Sequence, residues 1–271
     1  SFLTGPMPTQ PFGWFKKPKP QLSPARPAAL PENTRVYAVG DIHGRCDLLL
    51  ELLALIEADC ASAPSHRQII FLGDYIDRGP DSKGVIDRLM QPMPAGLEPV
   101  FLMGNHESAF LRLFTSLETG PGWLIHGGLE TLKSYGLSLA PGQPTEERLL
   151  ALQETLRERF PAAHRTWLES CRMFHESGDY YFVHAGIRPD VPLAEQTDQD
   201  RLWIRHGFVD WRGGNLEKMI IHGHTISRDV ELMPYRIGID TGAYASGRLT
   251  ALVLESTSCR ILQTGKSQNQ G

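Results

Sequence analysis

Paired cysteine spacing, a long apolar run and a one-sided charge excess are all missing from this sequence, and each absence removes a class of protein. Cys46, Cys60, Cys171 and Cys259 stand apart without a CxxC pair. Neither a disulfide framework nor a zinc knuckle is therefore expected, and a reduced, cytoplasmic setting is. No apolar run reaches the roughly 18 residues of a membrane-spanning helix, and the first residues show no charged segment leading into an apolar one. The expectation is a soluble chain without a membrane partner. Net charge is −4, from 27 Lys+Arg against 31 Asp+Glu, and no Lys/Arg block occurs. Non-specific nucleic-acid binding is not expected, and an anionic substrate has to be attracted locally.

What is present is an ordinary globular composition, 41% hydrophobic and 21% charged over 271 residues. That is enough chain for one catalytic domain with a sizeable core. Prolines 6, 8, 11, 18, 20, 24, 27 and 31 punctuate the start, a density that excludes helix and central strand. Residues 1–33 are expected to form a flexible or loosely docked leader, in which Phe12, Trp14 and Phe15 beside Lys16, Lys17 and Lys19 could dock on a partner or lie on the folded domain. Residues 34–262 are expected to form the catalytic domain and 263–271 a frayed polar tail.

Within the domain, a strand, a polar motif and a helix recur three times. Val36–Val39 runs into Gly40-Asp41-Ile42-His43-Gly44, followed by a leucine-rich helix from Leu48 to Ala58 capped by Asp47. Ile69–Leu72 runs into Gly73-Asp74-Tyr75-Ile76-Asp77-Arg78-Gly79, with a helix from Asp81 or Ser82 to Met90. Val100–Met103 runs into Gly104-Asn105-His106-Glu107, with a helix to about Leu117. This rhythm signals a parallel α/β sheet. Residues 119–175 break it and are expected to form a helical cap or side layer, with helices over Thr145–Phe160 and Ala162–Met173. Later strands deliver His184, His222-Gly223-His224 and Asp240, and Leu249–Leu254 is a terminal strand.

The strand ends carry metal-competent groups. In an extended segment residues i and i+2 face the same way, so Asp41 and His43 can reach one ion, although an Asp-x-His pair taken alone reads as a turn. Asp74 has oxygens for two ions and Asn105 adds a neutral oxygen, while helix N-capping competes for Asn105. His184 and His224 supply imidazoles. Carboxylate plus imidazole suits manganese, iron or zinc better than magnesium or calcium. Two divalent ions contribute about +4, Asp41 with Asp74 about −2 and a bridging hydroxide about −1, leaving a centre near +1 that attracts phosphate.

Together the five motifs, ending in His184-Ala185-Gly186 and Gly223-His224-Thr225, resemble the phosphoprotein phosphatase family of the calcineurin-like metallophosphoesterases, in its bacterial and phage-type serine/threonine members. The resemblance spans roughly residues 36–253 and implies an α/β sandwich of two β-sheets flanked by helices. It implies that Asp41, His43 and Asp74 hold one metal, manganese first, and that Asp74, Asn105, His184 and His224 hold a second. His106 would be the general acid oriented by Asp77, while Arg78, Asn105 and Arg205 would grip the phosphoryl group, with Arg201 and Arg212 near enough to compete with Arg205. The expected reaction is in-line attack of metal-bound hydroxide on phosphoserine or phosphothreonine in proteins or peptides. Met103 stands where many members have arginine, and Ile226 where other branches have histidine.

Two rival readings remain. Symmetrical dinucleoside tetraphosphate hydrolases resemble the same motifs, but usually carry aspartate after the third-motif histidine, so Asp77 and Glu107 favour the protein phosphatase. A non-catalytic module braced by metal would need neither His106 nor Arg78. His222 is expected to be structural.

Overall fold

The computed structural model describes residues 27–139, 142–214 and 216–265. The expectations for the flexible leader before residue 27, including Phe12, Trp14 and Phe15, lie outside the described residues. Strands β1 (Thr34–Val39), β2 (His66–Phe71) and β3 (Glu98–Phe101) are parallel neighbours. Helices α1 (Cys46–Asp59) and α2 (Ser82–Leu89) form the crossovers, and α3 (Asn105–Arg112) follows β3. Asp81 caps α2 by accepting a hydrogen bond from the Gly84 N–H at 2.8 Å, whereas Asp47 lies inside the first turn of α1. The helix expected to reach Leu117 stops at Arg112, and turns follow.

Residues 119–175 fold as α4 (Gly120–Trp123), a π-helical turn (Leu124–Gly128), α5 (Leu129–Ser134), α6 (Glu146–Arg159) and α7 (Ala162–Glu169). The remaining elements are β4 (Phe174–Ser177), β5 (Tyr180–Val183), α8 (Asp198–Trp203), β6 (Met219–His222), β7 (Glu231–Leu232), β8 (Arg236–Gly238), α9 (Ala243–Ser246), β9 (Thr250–Glu255) and β10 (Ser258–Gln263). The sheets run β10-β9-β1-β2-β3 and β4-β5-β6-β8-β7. The parallel rhythm read from the three motifs holds for β1, β2 and β3, and the two-sheet sandwich flanked by helices is as expected; both sheets are mixed, because β9 returns antiparallel on β1 and antiparallel β4 and β7 close the edges of the second.

Side-chain alternation explains the layering. Val36 and Ala38 of β1 face Phe182, Ile221 and Ile237 of the second sheet, whereas Tyr37 and Val39 face Leu49, Leu52 and Ile56 of α1. Phe110, Trp123, Leu156 and Phe160 join the α1 side, so the 119–175 segment is a side layer continuous with that core. Leu30 is buried between the sheets and donates its N–H to the Ser256 carbonyl at 2.9 Å, so the last residues of the leader lie against the sandwich. At the other end, Gln263 still pairs with Thr250, and Thr264 is buried on the Leu249 N–H. The parallel strands of each sheet release their motifs at their C-terminal ends, and side chains from both sheets meet in one cleft.

Candidate metal and phosphate centre

Loop-to-loop backbone bonds build the cleft. The His43 N–H donates to the Asp74 carbonyl at 2.8 Å, and the Gly223 N–H to the His184 carbonyl at 2.8 Å. A Cβ at Gly104 would fall on the backbone nitrogen and Oδ1 of Asp74, so only glycine lets β3 release its motif against the β2 loop. Of eight non-glycine residues with positive φ among those described, five lie here: His43, Asp74, Asp77, Arg78 and His224. Such conformations are costly and cluster at functional sites. They mark the cleft independently of its chemistry.

Asp74 occupies the centre. Its Oδ2 lies 3.4 Å from His43 Nε2 and 3.4 Å from His184 Nε2. Both rings pair Nδ1 with a main-chain carbonyl at 2.8 Å, His43 with Ile76 and His184 with Leu72. These bonds turn each Nε2 lone pair toward the carboxylate. Two groups with metal-binding donors result, His43 with Asp74 and His106, and Asp74 with His184 and His224, and Asp74 belongs to both. Asn105 Oδ1 stands 2.8 Å from His184 Nε2. The capping use of Asn105 is not realised, because Gly104 holds the cap position. Asp41 is outside both groups, yet its carboxylate accepts the His224 N–H at 3.1 Å and borders Asp240 and Asp74.

This donor set fits divalent cations. Burial lowers His43 to about 3 and His224 to about 2, so both imidazoles are neutral at neutral pH with lone pairs free for a metal. The buried Nε2 of His224 has no hydrogen-bond partner. Burial, Asp240 and Asp74 together hold the Asp41 carboxyl well above the usual carboxylate range, which is how crowded carboxylates behave without an intervening cation.

Beside the Asp74 cluster, His106 pairs Nδ1 with Asp77 Oδ2 at 2.6 Å, and its Nε2 is 3.3 Å from the Arg78 guanidinium. Against the effect of burial, Asp74 and Asp77 raise the His106 pKa, favouring its protonated form. Arg78 lies over the Tyr244 ring, 4.9 Å from its centroid. Of the three candidate arginines near Trp203, Arg205 lines the cavity that also contains Arg78, Asn105, His106 and His224. Arg201 is buried and bonded to Tyr181 and Asp198, and Arg212 contacts the Trp211 carbonyl. Met103 is buried in the helix-side core. His222 packs on Phe208 and Arg236, and burial lowers it to about 3.

Four residues of the cleft make contacts that the sequence does not announce. Thr131 Oγ1 donates to Asp77 Oδ1 at 2.6 Å and accepts the Asp77 N–H at 2.8 Å. Tyr244 supports Arg78 and stands edge-on to His43. Asp240 backs Asp41. Glu107 is fully buried, and its carboxylate accepts N–H bonds from Asp74, Tyr75, Ile76 and Gly104 at 2.8–3.1 Å. Glu107 therefore braces the β2 loop and says nothing about which substrate enters. Burial, followed by repulsion from Asp74, raises its pKa to about 7. Glu107→Gln turns an amide donor toward at least one of these N–H groups and should cost about 1–3 kcal/mol. Urea unfolding checks this, and a change below about 0.5 kcal/mol would be that of an ordinary surface position.

Among the described residues no helix is long and apolar enough to cross a membrane. Two curated relatives, each named bis(5'-nucleosyl)-tetraphosphatase PrpE [asymmetrical], cover 79% of this chain. One, from Anoxybacillus flavithermus, is 27% identical with 88% of its own length covered. The other, from Halalkalibacterium halodurans, is 28% identical with 87% covered. A crystal structure provisionally described as a diadenosine tetraphosphatase superposes with TM-score 0.57 at 22% identity, over 85% of this chain and 94% of that one. A protein serine/threonine phosphatase from Saccharomyces cerevisiae superposes with TM-score 0.50 at 15% identity, over 85% and 79% of the two chains. Both structures share the fold. The sequence profile described as calcineurin-like phosphoesterase matches residues 34–232, the stretch that supplies strands β1 to β7 and all of the histidines around Asp74, and the chain belongs to that family.

Proposed function

We propose that the protein hydrolyses dinucleoside tetraphosphates at a two-metal centre, cutting the polyphosphate asymmetrically into a nucleoside monophosphate and a nucleoside triphosphate. The observation that carries this reading is the set of PrpE-named relatives, which match over most of their own length as well as of this chain. The phosphoprotein reading rested on Asp77 and Glu107, and Glu107 is saturated by backbone donors. Its second support, likeness to a serine/threonine phosphatase, reaches only the fold.

Asp41, His43 and Asp74 would hold one divalent ion, and Asp74, Asn105, His184 and His224 the other, a nitrogen and oxygen set suited to manganese, iron or zinc. When bound, such ions polarise phosphoryl oxygens and lower the pKa of a shared water. The protein groups do the rest. Arg78, held by Tyr244, and Arg205 from the cavity wall take the charge on the phosphoryl oxygens. His106 acts as proton donor rather than ligand, because Asp77 engages Nδ1 and the Arg78 cation beside Nε2 opposes a second cation there. Water oxygen forms the new P–O bond and gives up a proton to solvent while the anhydride P–O bond breaks, and that bond's electron pair stays on the leaving phosphate, protonated from His106 Nε2.

Product analysis of diadenosine tetraphosphate with added manganese tests this. AMP and ATP in equal amounts are expected. Two ADP would indicate symmetrical cleavage, and an inert dinucleotide beside a cleaved phosphoserine peptide would restore the protein phosphatase.

A further inference from the structure

The cleft does not end at the phosphate groups. One cavity of about 360 Å³ is lined by Arg78, His106, Arg205 and His224 and also by Gly122 of α4 and His126 of the π-helical turn. That volume falls in the roughly 300–1,000 Å³ range of small-molecule sites, and a phosphoryl group alone fills only part of it. Its lining is chemically mixed, the cationic groups Arg78 and Arg205 standing with the Thr119 hydroxyl and with Glu118, whose carboxylate is already paired with Arg112 at 3.1 Å. Trp203 is 43% exposed, with its ring edge-on to His224 at 6.4 Å, so an aromatic platform borders the reacting centre. An anionic chain beside the arginines with a planar group on the tryptophan is the chemistry of a nucleotide.

We propose that this cavity seats the nucleoside of the leaving nucleotide, with its base on Trp203, and that it sets substrate choice. This rests on the dinucleotide reading above. Gly122 keeps the space open, since a Cβ there would meet no atom within 4 Å, and its φ is outside the positive range that only glycine favours. A side chain at 122 can therefore enter the cavity without straining α4.

The test compares kcat/KM on diadenosine tetraphosphate with kcat/KM on inorganic tripolyphosphate, which offers the same anhydride without a nucleoside. Gly122→Leu is expected to lower the ratio about 10- to 200-fold, the scale of steric discrimination in a pocket. Trp203→Ala removes a base-stacking surface and is expected to lower the ratio roughly 5- to 100-fold. The second variant keeps the question answerable if the first fails to fold. If the wild-type protein cleaves the dinucleotide and neither variant moves the ratio, the cavity is not the nucleoside seat. A wild-type protein that cleaves tripolyphosphate but not the dinucleotide overturns the dinucleotide reading and this inference with it.

Discussion

Asp74→Asn should abolish metal binding and hydrolysis together while leaving the apo fold intact. The Asp74 carboxylate faces the Nε2 atoms of His43 and His184 at 3.4 Å and accepts the His106 N–H through Oδ1 at 3.0 Å. An asparagine keeps an oxygen for that N–H and can offer an amide hydrogen to the neutral His43 imidazole, while it removes the charge that raises the His184 pKa. The variant loses the one group common to both metal-binding sets. Metal Lewis acidity is worth several kcal/mol, so turnover should fall by about 10³-fold or more. Wild-type protein should gain thermal stability on manganese addition, because a ligand of the folded state stabilises it by mass action, and the variant should not. Metal analysis reads the same outcome directly. Wild-type metal content and turnover in the variant would remove Asp74 from the centre.

The legible part of this site is the part that lies at strand ends. Asp41, His43, Asp74, Asn105, His184 and His224 each follow an apolar run and a turn signal, and parallel pairing brings those ends to one edge. Thr131 was illegible for the opposite reason. It sits on α5, 54 positions from Asp77, in the stretch without strand-motif-helix rhythm, and a threonine in a short helix carries no local sign of its partner. Asp240 was visible as a strand-end residue without a role, and Tyr244 comes after the last matched motif, where no repeated pattern marks it. Glu107 was visible as a residue but not as a brace, since its four bonds go to backbone N–H groups that a side-chain pattern cannot display. In the fold, the edge strands β4 and β10 escaped for a related reason. Their exposed faces lack the apolar runs that announce β1, β2 and β5.

The second large effect separates proton transfer from metal binding and depends on the bond being cut. With His106→Asn, hydrolysis of an alkyl phosphate should fall about 10²–10⁴-fold, because an alkoxide cannot leave readily without the proton a general acid supplies. A leaving phosphate has a second pKa of about 6 and departs near neutral pH with little help, so the same variant should lose only about 10- to 100-fold on diadenosine tetraphosphate. Asp77→Asn should follow the same pattern. Its Oδ1 can still accept from Thr131, and its amide would then point at His106 Nδ1, which must give up its proton to accept that hydrogen bond. The imidazolium is no longer favoured, although the ring stays in place. Metal content should match wild type in both variants, since Asp77 lies outside both metal-binding groups and the Arg78 cation stands beside His106 Nε2. Unchanged rates on the alkyl ester would remove His106 as proton donor, while depleted metal in His106→Asn would make it a ligand. Equal losses on ester and anhydride would show that His106 acts on something other than the leaving oxygen.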